Sequence, residues 1–388
     1  MSADDILQAQ LEDNPPRISV EEAIVLYEDA NLSDLMHVAS VRRSIIVPGN
    51  EVTYLVDRNI NYTNACTINC QFCSFYRPPE HPEAYTQTFD EISSRVSELE
   101  EIGGSRILMQ GGVNPDLQLS WYTELISKLY QKHPKIHLDC FSPIEIEGIA
   151  EVCGISTSQV LRKLKDSGMH GLPGGGAEML VDDVRLDISP KKGSSRNWIR
   201  VMREAQDLDL ITSATNVIGF GETYSDRVMH MNLIRKAQDE AINSGNMGFT
   251  SFISWPVQLQ NNVFGARNKG ANRIELGASS SEYLRHVAIS RIFFDNISHI
   301  QASWPTMGME VAQLALSAGA DDAGSTMMEE NVVSASGTNK TMATEKELQR
   351  IILRSGYMPR KRDSEYNLLN TEILDDTPLY SIPPLQGN

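Results

Sequence analysis

From about Thr53 onward, short apolar runs ending in Gly, Ser or Pro alternate with longer stretches whose apolar residues recur at helical spacing. Eight such runs occur: YLVDRNINYTN, RILMQGG, IHLDCFSP, HGLPGGGAE, ITSATNVIGFGE, GFTSFISWP, HIQASW and AGADDAGST. Short apolar runs bounded by turn residues suit strands, and helices between successive strands make those strands parallel. The connecting stretches, 89–102, 121–133, 156–167, 195–208, 225–243, 281–295 and 309–318, carry the helical period, and several open on Ser or Asp, which cap helix N-termini. Eight strand–helix units predict an α/β fold, a (β/α)8 TIM-type barrel over residues 51–330, with its chemistry at the carboxyl ends of the strands. Residues 1–50 read as an N-terminal helical cap, and residues 331–388 as a C-terminal extension made of a helix and an irregular tail rich in Pro and Asp.

Composition narrows the partners more than the fold. The 388 residues are 41% hydrophobic, enough for a large core in one barrel or two domains. Acidic residues outnumber basic ones 51 to 34, and the net charge of −17 repels nucleic-acid phosphates and anionic lipid headgroups. A small-molecule substrate is therefore expected, with no nucleic acid and no membrane. No apolar run approaches the roughly 18 residues of a membrane span. The start, MSADDILQAQLED, lacks the basic flank and apolar stretch of a signal peptide, which predicts a cytoplasmic protein. Five cysteines are too few and too odd in number for a disulfide framework, so reduced thiols are expected.

Three of the five, Cys66, Cys70 and Cys73, lie in one loop directly after the first predicted strand. Soft thiolates select zinc, copper(I) or iron–sulfur clusters. A structural zinc site needs a fourth ligand, and the nearest candidate, His81, sits in a Pro-rich stretch without customary spacing. An electron-transfer 4Fe-4S protein uses four cysteines. Cys140 and Cys153 are far along the chain and suit buried apolar positions. Further strand ends carry Gln110-Gly111-Gly112, open to a tight turn or to close ligand approach, and Gly174-Gly-Gly-Ala-Glu178, which lacks the ending of a phosphate loop. Glu178 is placed to accept hydrogen bonds from a cationic or hydroxylated ligand.

The CxxxCxxC spacing, with Phe72 before the third Cys, resembles the radical S-adenosylmethionine (SAM) superfamily. That resemblance implies a 4Fe-4S cluster held by Cys66, Cys70 and Cys73, with the fourth iron chelating SAM. It implies SAM contacts from Phe72, Gln110, Gly111, Gly112, Ser142, Glu178, Thr215 and Glu222. The likeness is long: Asp57–Asn64, Cys66–Arg77, Ile107–Gly112, Phe141–Pro143, Gly174–Glu178, Gln301–Trp304 and Gly324–Val332 resemble the branch that joins the futalosine-route enzymes of menaquinone synthesis with the deazaflavin synthases. Asp57-Arg58-Asn59, Ser254–Gln258 and Ser303–Thr306 look most like its ring-closing cyclases, with aminofutalosine synthase as the nearest alternative.

For a cyclase the resemblance implies abstraction of the C4′ hydrogen from a nucleoside-like substrate and closure onto an attached benzoate ring. Trp255, Gln258, Gln301, Ser303, Trp304 and Glu329 would face that substrate, and Glu178 or Tyr76 would act as the catalytic base. Arg58, Arg77 and Arg291 are chemically suited to the carboxylate. A reductant such as flavodoxin or ferredoxin would prime the cluster. One departure stands out: the branch commonly has His where this chain has Phe220.

Overall fold

The computed structural model describes residues 1–270, 276–329, 331–337 and 340–374. Its ten strands are β1 (Glu51–Leu55), β2 (Asp57–Ile60), β3 (Arg106–Met109), β4 (His137–Cys140), β5 (Gly171–Leu172), β6 (Ile211–Ile218), β7 (Phe249–Pro256), β8 (His299–Gln301), β9 (Asp322–Ser325) and β10 (Met358–Lys361). All pair in parallel, in the order β10-β1-β9-β8-β7-β6-β5-β4-β3-β2. Because β1 and β2 are one chain segment broken only at Val56, the sheet curls back on itself. Thr53 faces Asp322 of β9, while Asp57–Ile60 run beside Arg106–Met109 of β3. The eight predicted runs are the eight staves of this barrel.

The helices begin where sequence placed them, because side-chain oxygens take up their orphan amides. Thr88, Ser156, Thr223 and Thr344 each close a capping box with Glu91, Gln159, Asp226 and Glu347. Helices Ala3–Ala9, Val20–Asp29 and Leu32–Ile46 form the first 50 residues, the latter two against the barrel's outer helices Tyr224–Asn243 and Ser280–Phe293. Tyr27 stacks on Tyr224 with centroids 4.9 Å apart and meets His286 Nδ1 at 2.5 Å, fixing that layer to the barrel.

The extension is more ordered than its composition suggested. After helix Glu345–Arg354, β10 pairs with β1. Arg362, Ser364 and Tyr366 then line the floor of the barrel cavity. Arg362 Nε meets Asp322 Oδ2 at 2.5 Å, and Tyr366 stacks on His299 at 3.8 Å. Of the irregular tail predicted from about Leu369, the part beyond Leu374 lies outside the described residues. No described helix is long and apolar enough to cross a membrane.

Candidate active site

The three-cysteine loop leaves the end of β2 and is tied along its length. Cys66 N donates to Arg77 O at 2.9 Å and Arg77 N to Asn64 O at 2.8 Å, closing the loop's two ends. Thr67 N reaches Val113 O at 3.0 Å, and Val113 N donates to Cys66 Sγ at 3.4 Å. Burial pushes the Cys73 thiol up to about 11, aided by Cys70, and raises Cys70 as well. Binding a metal group must therefore displace protons from buried thiols. Three soft donors on a rigid loop, one already receiving an amide, fit a 4Fe-4S cluster with one iron left for another ligand.

Below this loop a cavity of about 320 Å³ runs down the barrel. Its upper walls include Phe72, Gln110, Glu178, Thr215, Trp255, Gln258, Gln301 and Ser303, all anticipated from sequence. Several have internal partners: Gln110 Nε2 donates to Phe141 O at 3.0 Å, Thr215 Oγ1 to Gly174 O at 2.5 Å, and Gln258 Nε2 to Pro256 O at 3.1 Å. Ser303 Oγ lies 2.8 Å from Thr306 Oγ1.

Glu178 is held in the left-handed region, φ 41°, and its Oε1 meets Lys192 Nζ at 2.5 Å. The Lys192 ammonium sits 5.2 Å over the Phe72 ring. Burial opposes its charge, but Cys70 and Glu178 outweigh that and hold it above the ordinary lysine value. Arg185 clamps both loops, donating to Gly176 O and Ala177 O at 3.0 and 2.8 Å and to Gly193 O at 2.9 Å. Lys192 escaped the sequence reading because Pro190-Lys-Lys192-Gly looks like a solvated turn, and nothing local reveals its burial.

Seven anticipated residues stand elsewhere. A Cβ on Gly112 would lie 2.2 Å from Ala65 O and 2.7 Å from Cys66 Cβ, and one on Gly111 would lie 2.8 Å from the Tyr62 ring. Gly112 therefore makes room for the cysteine loop and Gly111 for the Tyr62 ring, and neither lines the cavity. Their amides are also spent, on Glu145 Oε1 and Thr63 O at 3.0 Å each. Ser142 caps helix Pro143–Cys153 and donates to Glu145 Oε2 at 2.7 Å, away from the cavity. Glu222 is fully buried, accepting from Gly219 N and Phe220 N at 2.8 and 2.6 Å and pairing with Arg227 at 2.7 Å.

Trp304 turns into the wall because a short helix starts there, and its Nε1 donates to Ser325 O at 2.9 Å. Glu329 pairs with Arg58 at 2.9 Å. Tyr76 lines a separate outer cleft beside Cys73, with Arg77 and His81. None of the three proposed carboxylate arginines lines the cavity: Arg58 is taken by Glu98 and Glu329, Arg77 by Glu83, and Arg291, buried, by Asp321. The arginines that do line it are Arg106 and Arg362, near the floor.

Residues 60–234 match the radical SAM superfamily, and residues 246–373 match the CofH/MqnC C-terminal region. A cyclic dehypoxanthine futalosine synthase of Halalkalibacterium halodurans is 41% identical over 96% of this chain and 96% of its own. The chain belongs to the CofH/MqnC family of radical SAM enzymes. A second family member of the same name, from Streptomyces coelicolor, is 36% identical over 93% of this chain and 87% of its own. A 5-amino-6-(D-ribitylamino)uracil–L-tyrosine 4-hydroxyphenyl transferase of Archaeoglobus fulgidus is also 36% identical, over 89% and 94%.

Among solved structures, the FeFe-hydrogenase maturase HydG from Carboxydothermus hydrogenoformans superposes with a TM-score of 0.71 at 16% identity, covering 94% of this chain and 80% of that one. Methylornithine synthase (PylB) gives 0.67 at 16%, covering 92% and 96%. These likenesses concern the barrel alone. Phe220 sets its ring at a tilt 5.2 Å from that of Phe72 and edge to face 5.4 Å from that of Phe264. An apolar brace thus stands behind the cysteine loop, at the position where the resemblance leads one to expect His.

Proposed function

We propose that the chain is a radical SAM cyclase that converts dehypoxanthine futalosine to its cyclic product in menaquinone synthesis. The observation that carries this reading is the 41% identity over 96% of both chains to a cyclic dehypoxanthine futalosine synthase. The cavity beneath the three cysteines supports it. When bound, the cluster and SAM together supply one reducing electron and the carbon radical that removes a hydrogen atom from the substrate ribose.

The chain's part is to hold and to exclude. Cys66, Cys70 and Cys73 would ligate the cluster, and Glu178 with Lys192 offers a carboxylate and an ammonium to the zwitterionic end of SAM. Phe72, Gln110 and Thr215 would flank the rest of the cofactor. Trp255 presents an indole suited to stacking on the benzoate ring. Gln258, Gln301 and Ser303 would orient the polar parts of the substrate. The Arg362–Tyr366 floor keeps bulk water from the reacting carbons, as radical chemistry requires. Glu178, which lines the cavity, is the better placed base of the two considered. We assign the protein to the cytoplasm, with a flavodoxin or ferredoxin as electron donor.

The test is to reconstitute the protein anaerobically and supply SAM, dithionite and dehypoxanthine futalosine. The cyclic product and 5′-deoxyadenosine should appear together by mass spectrometry. Turnover of 5-amino-6-(D-ribitylamino)uracil with tyrosine instead would replace this reading with the transferase activity of the other relatives.

A further inference from the structure

The charged side chains that line the cavity are already paired. Arg106 meets Asp57 at 2.5 Å and Asp139 at 3.4 Å, Arg362 meets Asp322 at 2.5 Å, and Glu178 meets Lys192 at 2.5 Å. Single atoms of these charged groups, Arg106 Nε, Asp139 Oδ1 and Glu178 Oε2, still have no hydrogen-bond partner, and so do the neutral Asn59 Oδ1, Asn61 Oδ1 and Tyr366 hydroxyl. Asn59 lines it from β2, is only 7% exposed, and its Oδ1 has no hydrogen-bond partner. A buried, unpaired amide costs free energy unless a ligand completes it.

The backbone around Asn59 is fixed from both sides. Its N–H donates to Met328 O at 2.9 Å, and its strand position pairs with Leu108 of β3. The backbone that carries the amide therefore cannot shift to bring it to solvent. A half-turn of its terminal group exchanges Oδ1 and Nδ2, so it can accept from or donate to a ligand. Such a group complements a hydroxyl, which also does both. A carboxylate would instead go to the Arg106 or Arg362 guanidinium, each already in an ion pair.

Resting on the cyclase reading, we infer that Asn59 is a substrate-anchoring residue that hydrogen-bonds a ribose hydroxyl of the nucleoside. The hydroxyl-bearing C3′ adjoins C4′, so the same contact fixes the carbon that loses hydrogen. Loss of the anchor lets hydrogen abstraction and ring closure come apart.

The experiment titrates holoenzyme carrying SAM, its cluster left oxidised so that nothing turns over, with dehypoxanthine futalosine and with its 2′-deoxy and 3′-deoxy analogues. Asn59→Ala should weaken binding of the parent nucleoside about tenfold while leaving SAM affinity within about twofold. One deoxy analogue should lose the same factor in the wild type and nothing further in the variant, the signature of a shared contact. Asn59→Ser, which keeps a hydroxyl, should recover part of the loss and stands in should the Ala variant fold poorly. Under reducing conditions the variants should release more 5′-deoxyadenosine per product.

Unchanged nucleoside affinity, equal discrimination of the analogues by variant and wild type, or a parallel loss of SAM affinity would overturn the inference. Should the wild type bind 5-amino-6-(D-ribitylamino)uracil in place of the nucleoside, the cyclase reading falls. Asn59 is then judged by the same loss on that polyol.

Discussion

Gly112→Ala is the sharpest perturbation of the cluster site that replaces none of its ligands. The substitution adds one methyl group at a residue with ordinary backbone torsions, so it introduces no conformational strain of its own. That methyl would lie 2.2 Å from Ala65 O and 2.7 Å from Cys66 Cβ, where ordinary contact starts at 3.4 Å. Both obstacles belong to the cysteine loop's own backbone and first cysteine, and neither can rotate away. The loop must retreat by about 1 Å, twice the tolerance of roughly 0.5 Å within which a functional constellation works. The global cost of such overpacking is only about 1–3 kcal/mol, so the barrel should still fold. After anaerobic reconstitution the variant should hold far less iron and sulfide than wild type and lose the cluster's visible absorption, with its far-ultraviolet circular dichroism unchanged. Gly148→Ala is the control, because its methyl meets a Val113 methyl at 2.4 Å, a side chain that can adjust. A Gly112→Ala protein with full iron, sulfide and absorption would refute the claim that this glycine exists to admit the loop.

Three further outcomes are expected. Glu145, buried among Ser142, Tyr62 and Gly111 N, has its pKa raised by burial from 4.5 to about 7. The folded protein therefore binds this proton more tightly than the unfolded chain. Stability present below pH 4.5 should fall as pH rises through about 7, by about 3 kcal/mol. Urea denaturation between pH 5 and 8 should show that slope in wild type and not in Glu145→Gln, and an equal slope in both would reject the assignment. Lys192→Met should cost about 3–5 kcal/mol by stranding the buried Glu178 carboxylate, and adding Glu178→Gln should recover most of it. Independent, additive losses would mean the pair does not matter. Trp255→Ala should raise the substrate KM with little change in Tm, whereas Trp304→Phe should lower stability by about 1 kcal/mol through its lost bond to Ser325 O, with KM unchanged. The reverse pattern would restore Trp304 as the substrate-facing ring.

What the sequence determined by itself is what depends on near neighbours along the chain. Strand and helix periods, the Ser and Thr caps, and the turn residues are local, so the eight staves and most outer helices were legible. The helix Pro143–Cys153 was not among the connecting stretches predicted; it follows β4 with almost no intervening loop. The three-cysteine motif was legible for the same reason: its ligands lie within eight residues. Tertiary structure alone decided which polar side chains meet in the cavity. Inward or outward aim depends on where each strand ends and on the barrel's register, and a one-residue change reverses it. Ser303 faces the cavity while Trp304, one position on, enters a helix and the wall.

Long-range pairing decided the rest. Glu222, Glu329 and Arg291 were plausible ligands until Arg227, Arg58 and Asp321 were seen to occupy them. Lys192 looked like a surface lysine until Glu178 and Cys70, distant in sequence, proved to surround it. The order of Arg362, Ser364 and Tyr366 is imposed by β1, Asp322 and His299 across the barrel floor, contacts with no local signature.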